Sequence, residues 1–277
     1  MPHPTDPRAL CCEFERSYAL GSSPLLLELD HSVFGRDYVA TSWTTRDEAD
    51  RVADGLRLGP GVRLLDVGAG SGWPGLYLAQ LTGCDVVLAD MPFTGLRVAS
   101  GRAVQDGLGD RIRIVAADGA RLPFADSTFA AVSHSDVLCC MPAKLAMLRE
   151  CHRVAREGAR MVFSVVVVAP DLPEPERKTA IDSGPPFVES PADYSVLLAQ
   201  SGWRVLERED LTPAYVRTAR ALVDGMASRA EALGELLGPA EFAESTQCRQ
   251  AAYVAAARGL LRRELFVAAT SDRCWSG

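Results

Sequence analysis

The stretch Leu64-Leu65-Asp66-Val67-Gly68-Ala69-Gly70-Ser71-Gly72-Trp73-Pro74-Gly75 constrains this chain more tightly than any other. Val62, Leu64, Leu65 and Val67 form the apolar run of a strand covered on both faces. Gly68, Gly70 and Gly72 then allow a sharp turn and a close approach of backbone to a ligand. Pro74 suits the first turn of a helix, where its missing N–H costs little. Tyr77, Leu78 and Leu81 follow at helical spacing. Strand, glycine turn and helix in this order make a nucleotide-type cradle at the carboxyl end of a parallel strand. Asp66 stands near that end, where an apolar residue would be ordinary.

Two cofactor classes use such a cradle. Gly70-x-Gly72-x-x-Gly75 formally matches the dinucleotide fingerprint. The other reading is an S-adenosylmethionine (SAM) turn, with a carboxylate two residues ahead of a Gly-x-Gly-x-Gly run. A dinucleotide sets an anionic pyrophosphate at the helix N-terminus, where Asp66 would repel it. SAM carries an ammonium and a sulfonium, which Asp66 would attract. A glycine turn without a ligand would leave Asp66 unexplained.

Downstream, apolar runs alternate with helical patterns, as in a doubly wound parallel sheet. Cys84 to Ala89 reads as the second strand and ends at Asp90, which is placed to accept both ribose hydroxyls or, alternatively, to cap the helix from Phe93 to Gln105. Ile112 to Ala116 reads as the third strand. It ends at Asp118-Gly119, a candidate for the adenine amine or a plain turn aspartate. Thr128 to Ser133 is the fourth strand, followed by His134-Ser135-Asp136 and a helix from Ala143 to Ala155. Arg160 to Val168 reads as a central strand. Asp171 to Pro191, rich in proline and charge, reads as a loop whose Pro185-Pro186-Phe187-Val188 centre is a substrate lid or a surface connector. Trp203 to Glu207 is the sixth strand, 211–258 a helical cap, and Leu265 to Ala269 the last strand. Ahead of the cradle, Arg8 to Leu29 suggests short helices broken at Gly21-Ser22-Ser23-Pro24, and Thr45-Arg46-Asp47-Glu48 is a capping box. The expected units are 1–58 (N-terminal helices and lid), 59–210 (cofactor core), 211–258 (cap) and 259–277 (last strand and tail). Both ends, 1–7 and the tail to Gly277, are expected to be mobile or frayed.

The 277 residues suffice for one large α/β domain or a domain with a cap, and 48% hydrophobic content supports a sizeable core. A net charge of −7 and the lack of a basic block argue against a nucleic-acid substrate. Met1-Pro2-His3-Pro4 lacks a basic n-region and an apolar core, and the apolar run around Val165 to Pro170 is too short for a membrane span. A soluble cytoplasmic protein is expected. Eight cysteines include vicinal pairs, Cys11-Cys12 and Cys139-Cys140, but no Cys-x-x-Cys, so reduced thiols and no metal site are expected.

These motifs resemble the class I SAM-dependent methyltransferases. The carrying residues are Leu65 to Gly72, Asp90, Asp118-Gly119 with Leu122-Pro123-Phe124, and Arg149-Glu150-Cys151-His152-Arg153-Val154, which resembles the Glu-x-x-Arg-Val helix before the fifth strand. Within the class the chain looks most like the small-molecule branch of ubiquinone, sarcosine and phosphoethanolamine methyltransferases. The resemblance implies an α/β fold with a seven-stranded, mostly parallel sheet, its last strand antiparallel, a helical N-terminal lid and a helical cap. It implies methyl transfer from SAM, leaving S-adenosylhomocysteine, to a small-molecule acceptor. The cofactor set it implies is Asp66, Gly68, Gly70, Gly72, Asp90, Met91, Asp118, Gly119 and Ser135, with Thr41, Ser42 and Trp43 near the methionine carboxylate. Tyr18 resembles the lid tyrosine that faces the acceptor in phosphoethanolamine enzymes. Cys140 stands where those enzymes have a histidine, which argues against phosphoethanolamine as substrate. Asp136 matches an acidic position that holds an amine or hydroxyl. His134 is the candidate base where the acceptor must lose a proton. The rival readings are a non-catalytic SAM- or nucleotide-binding regulator and an NAD-dependent oxidoreductase. The acceptor atom and the oligomeric state are left open.

Overall fold

Apolar runs that alternate with amphipathic segments become the strands and helices of one α/β sheet structure. The computed structural model describes residues 6–21 and 23–270. The expectations for residues 1–5, Ser22 and 271–277, Cys274 among them, fall outside the described residues. The N-terminal helices are α1 (Pro7–Ala19), α2 (Pro24–Phe34) and α3 (Arg46–Leu56). The core continues through β1 (Arg63–Val67), α4 (Gly75–Thr82), β2 (Asp85–Asp90), α5 (Phe93–Gln105), β3 (Ile112–Ala116) and β4 (Phe129–Ser135). A 3-10 turn (Leu138–Cys140) leads to α6 (Lys144–Val154), β5 (Ala155–Val168), α7 (Glu174–Ser183), α8 (Tyr194–Gln200) and β6 (Trp203–Asp210). The cap is α9 (Thr212–Ala227), α10 (Ala230–Leu237) and α11 (Pro239–Ala257), and β7 (Leu261–Thr270) closes the sheet.

The sheet order is β3-β2-β1-β4-β5-β7-β6. The first five strands in space are parallel, and β7 runs antiparallel to both neighbours. Strand order reverses between β1 and β4, so the carboxyl ends of β1 to β4 share one edge at a switch point, where open α/β sheets bind ligands. One apolar layer holds Leu64, Leu76, Leu88 and Val162 on one face. The other holds Met147, Phe163, Tyr194 and Phe266, with Phe163 stacked on Phe266 at 5.0 Å. Burying each such side chain contributes about 1.5–3 kcal/mol.

The capping box forms as read: Thr45 Oγ1 accepts from Glu48 N, and the Glu48 carboxylate accepts from Thr45 N. Two readings are corrected. The 171–191 segment contains α7, because Pro173 and Pro175 stand at its N-terminal edge, where proline does not break a helix. Strand β7 starts four residues earlier than expected, because Arg263 is neutralised inside the protein. The Pro185–Val188 stretch is anchored: Phe187 N donates to Cys139 O, the buried Lys144 ammonium donates to Phe187 O, and Val188 is buried. Among the described residues no helix is long and apolar enough to cross a membrane.

Candidate active site

The glycine bend is held from below by the end of β2. Gly68 N and Ala69 N both donate to Ala89 O, at 2.7 and 3.2 Å, and Gly70 N donates to Asp90 Oδ2 at 2.6 Å. Gly68, Gly70 and Gly72 all have positive φ, which only glycine adopts freely. A Cβ at Gly68 would collide with Val137, and one at Gly70 would lie 2.5 Å from the Tyr18 hydroxyl.

Asp66 lies behind this bend and is 1% exposed. Its Oδ1 accepts from Ser133 Oγ at 2.7 Å, while Oδ2 faces the Gly75 main chain at the start of α4. Burial pushes its pKa up to about 7, against the pull of Ser133 and the Gly75 main chain. This corrects the expectation of a direct charge contact between Asp66 and the cofactor: the carboxyl plugs the helix N-terminus from inside the sheet. The same placement answers the choice of cofactor class. A pyrophosphate at that helix end would meet the buried Asp66 carboxyl directly behind Gly75, while the N–H groups of Gly68, Ala69, Gly70 and Gly72 are already donated within the bend.

Asp90 is half-buried at the tip of β2. Its two oxygens accept from Gly70 N and Met91 N, leaving further lone pairs for a ligand. Burial pushes its pKa up to about 6, with those N–H groups opposing and the Glu15 charge adding to the rise. Beyond it a cavity of about 480 Å³ is lined by Met91, Ala116, Ala117, Asp118, Ala120 and Arg121 with Pro123. Asp118 is exposed there, its Oδ1 accepting from Ala120 N. Gly119 backs onto Val67 and Met147. Carboxylates at adjacent strand tips, next to an open cavity and the glycine bend, fit a cationic nucleoside such as SAM.

The N-terminal segment covers this edge. Tyr18 on α1 is buried against Gly70 and Gly95, and its hydroxyl is 3.2 Å from Thr41 Oγ1. Burial, with Asp90 nearby, raises its pKa. Glu15, one turn back, accepts from Phe93 N and Thr94 N at 2.6 and 2.8 Å and so caps α5. Arg36 shapes the loop that follows α2: it pairs with Asp30 and donates to the carbonyls of Ala40 and Ser42. Ser42 Oγ is buried without a hydrogen bond. Arg102 ties that loop to the bend through Val39 O and Ser71 O and reaches Gly21 O. None of Glu15, Arg36 and Arg102 stood out in the sequence, since each lies in an ordinary polar or helical context.

The residues after β4 are placed differently from expectation. His134 is fully buried on the α6–α8 face, stacked 4.5 Å from Phe163, and neither ring nitrogen has a hydrogen bond. Burial pulls its pKa down to about 3. The expected role as base is corrected: the ring faces the core and has no path to a substrate. Ser135, half-buried, ends the strand opposite Ser164. Asp136 is buried with φ of 57°, and its carboxylate accepts from Arg263 Nε at 2.9 Å, Arg263 Nη2 at 3.1 Å, Ser164 Oγ at 3.2 Å and Trp43 N at 2.8 Å. The expectation that Asp136 holds an acceptor is corrected, because these donors occupy both oxygens. Arg263 also donates to both oxygens of Glu48 at 2.8 Å. Burial opposes its charge, but Asp136 and Glu48 prevail and raise its pKa. Trp43, one of the expected cofactor residues, is therefore fixed through its backbone.

Comparison with known proteins agrees with this geometry. A family model described as a methyltransferase domain matches residues 65–163. The chain is 30% identical over 192 residues to methyltransferase GfsG of Streptomyces halstedii, covering 67% of this chain and 68% of that protein. It is 35% identical over 191 residues to demethylmenaquinone methyltransferase of Beutenbergia cavernae, covering 61% and 76% respectively. Among solved structures, geranyl diphosphate C-methyltransferase from Streptomyces coelicolor A3(2) superposes with a TM-score of 0.73 at 16% identity, over 98% of this chain and 100% of that one; at this identity the likeness concerns the fold alone. The chain belongs to the class I SAM-dependent methyltransferases, in their small-molecule branch. It is an enzyme of that class, and SAM is its cofactor.

Proposed function

We propose that this enzyme methylates a small-molecule acceptor held between α1, the 36–44 loop and the α9–α11 cap, and that it works by alignment without a histidine base. The observation that carries the reading is the convergence of the Gly68–Gly72 bend, Asp90 and Asp118 on one sheet edge under Tyr18 and Thr41. Bound SAM supplies an electrophilic methyl carbon on its sulfonium. Asp90 accepts from the ribose hydroxyls, and Asp118, with Met91 and Gly119, borders the adenine end. Thr41, Ser42 and Trp43 face the methionine end, and Ser135 borders the methyl side. Asp66 keeps the bend in shape. Tyr18 covers the bend and excludes water, so that the protein contributes proximity and orientation. Acceptors that are neutral nucleophiles at working pH suit this arrangement, since His134 offers no proton relay.

The proposal includes a cytoplasmic location and no nucleic-acid partner. The free cysteines of the described residues and the net charge of −7 support these points.

The test is calorimetric titration with SAM and S-adenosylhomocysteine. Asp90→Ala is expected to weaken both by at least about 100-fold, in line with the loss of two charge-assisted hydrogen bonds at about 1.5–3 kcal/mol each. Unchanged affinity would remove the assigned cradle. S-adenosylhomocysteine release with any acceptor dismisses a purely regulatory role.

A further inference from the structure

Arg249 stands apart from the other buried cations of this protein. Among the described residues, every other arginine that is not solvent-exposed donates to a carboxylate or a carbonyl. Arg249, half-buried on α11, makes neither a hydrogen bond nor an ion pair with the described residues. Its guanidinium lies over the Trp43 ring, 5.3 Å from the centroid. A cation–π contact uses the flat face of the guanidinium. It leaves the five in-plane N–H groups free to donate. Asp30 lies within the reach of its field, but Arg36 already holds that carboxylate.

The surroundings point to the acceptor side of the site. Trp43 is fixed by Asp136, the residue that follows β4, and Tyr215 of α9 meets the indole edge-on at 4.8 Å. The Tyr215 hydroxyl has no hydrogen bond among the described residues, and the fields of Asp136 and Arg249 both reach it. In the sheet order Asp136 follows β4 and its partner Arg263 lies on β7, whereas Asp90 and Asp118 follow β2 and β3. The cofactor carboxylates and the Asp136 anchor of Trp43 therefore stand on opposite sides of β1 in the sheet.

We infer that Arg249, with the Tyr215 hydroxyl, binds an oxyanion on the methyl acceptor, so that the enzyme selects acceptors bearing a carboxylate or phosphate group. The inference rests on the acceptor chamber proposed above. A guanidinium fork pairs with either oxyanion through two parallel N–H bonds, and Trp43 beneath it fixes the plane of that fork.

The experiment is an NMR titration of arginine Nε–Hε signals with sodium acetate and, separately, inorganic phosphate, with and without saturating S-adenosylhomocysteine. One signal, absent from Arg249→Lys and Arg249→Gln, is expected to shift saturably at millimolar anion. Anion binding should weaken about 10-fold in Arg249→Gln, which is about 1.4 kcal/mol. Tyr215→Phe is expected to weaken it by a smaller factor. The stronger of the acetate and phosphate responses identifies the oxyanion. The affinity for S-adenosylhomocysteine should stay within twofold in Arg249→Gln. The inference is overturned by a linear, non-saturating response, by anion binding that survives both Arg249 variants, or by a tenfold loss of S-adenosylhomocysteine affinity, which would place Arg249 on the cofactor. If the wild-type protein binds no S-adenosylhomocysteine, the cradle assignment fails, while the titration without it still reports on Arg249.

Discussion

Asp66 and His134 are neighbours of the site that titrate for structural reasons. Each is buried, and each is held closer to its neutral form than in water. For Asp66 the sign is unusual for a carboxylate. The folded protein binds its proton more tightly than the unfolded chain, where aspartate titrates near about 3.9. The stability it contributes is full below that value and is lost as pH rises toward the folded value of about 7. Asp90, with its smaller rise, adds a slope of the same sign. His134, whose pKa burial depresses, adds a slope of the opposite sign below about pH 6.5. Asp66→Asn is therefore expected to raise Tm at pH 7.5 relative to pH 5 by a few degrees compared with the parent protein, as read by calorimetry; an unchanged slope would refute the buried-proton account. His134 makes a kinetic prediction. A general base is worth about 10²–10⁴ in rate, whereas His134→Leu is expected to keep kcat within about threefold, because the ring is fully buried and stacked on Phe163. A hundredfold loss with an intact fold would return His134 to the mechanism.

At the scale of elements, Arg263 joins three stretches that are apart in the chain: Thr44 and Glu48 at the start of α3, Asp136 after β4, and Ser164 of β5. Removing one partner of a buried ion pair leaves the others as uncompensated charges. Arg263→Met is expected to cost about 3–5 kcal/mol in urea unfolding and to loosen Trp43, while the triple variant with Glu48→Gln and Asp136→Asn should recover part of that loss. The absence of any recovery would show that the network is not coupled. This cluster also marks the limit of what the sequence discloses. Strands β1 to β5 were legible because parallel strands are apolar on both faces, and Thr45–Glu48 was legible because a capping box is local. Leu261-Arg262-Arg263-Glu264 looks like solvent-facing charge, because the partners that make Arg263 a core residue lie 127 and 215 positions away. Asp90 and Asp118 could be found by counting from the glycines. The orientation of His134 could not, since a one-residue change of phase along β4 exchanges the core for the cleft.

Across the whole molecule, two parts of the N-terminal segment are held with different strength. The 36–44 loop is tied by Arg36, which pairs with Asp30 of α2, by Arg102 of α5 and, through Trp43, by Asp136 after β4, all buried. Helix α1 rests on the core through Leu10 and Tyr18 and through the Glu15 cap on α5, which water can reach. Segments with few buried contacts open locally at low free energy. Hydrogen exchange should therefore show fast amides in α1, slow ones in the 36–44 loop, and the slowest in β1, β4 and β5. S-adenosylhomocysteine should protect α1 and the first turn of α5 and leave the 36–44 loop almost unchanged. Glu15→Ala removes a cap worth about 1 kcal/mol, so α1 amides should exchange about fivefold faster, with β1 unaffected. If α1 were as protected as the central strands without ligand, closure would be permanent. Cofactor would then have to enter by another route, past the exposed Met91 and Asp118 at the open end of the cavity.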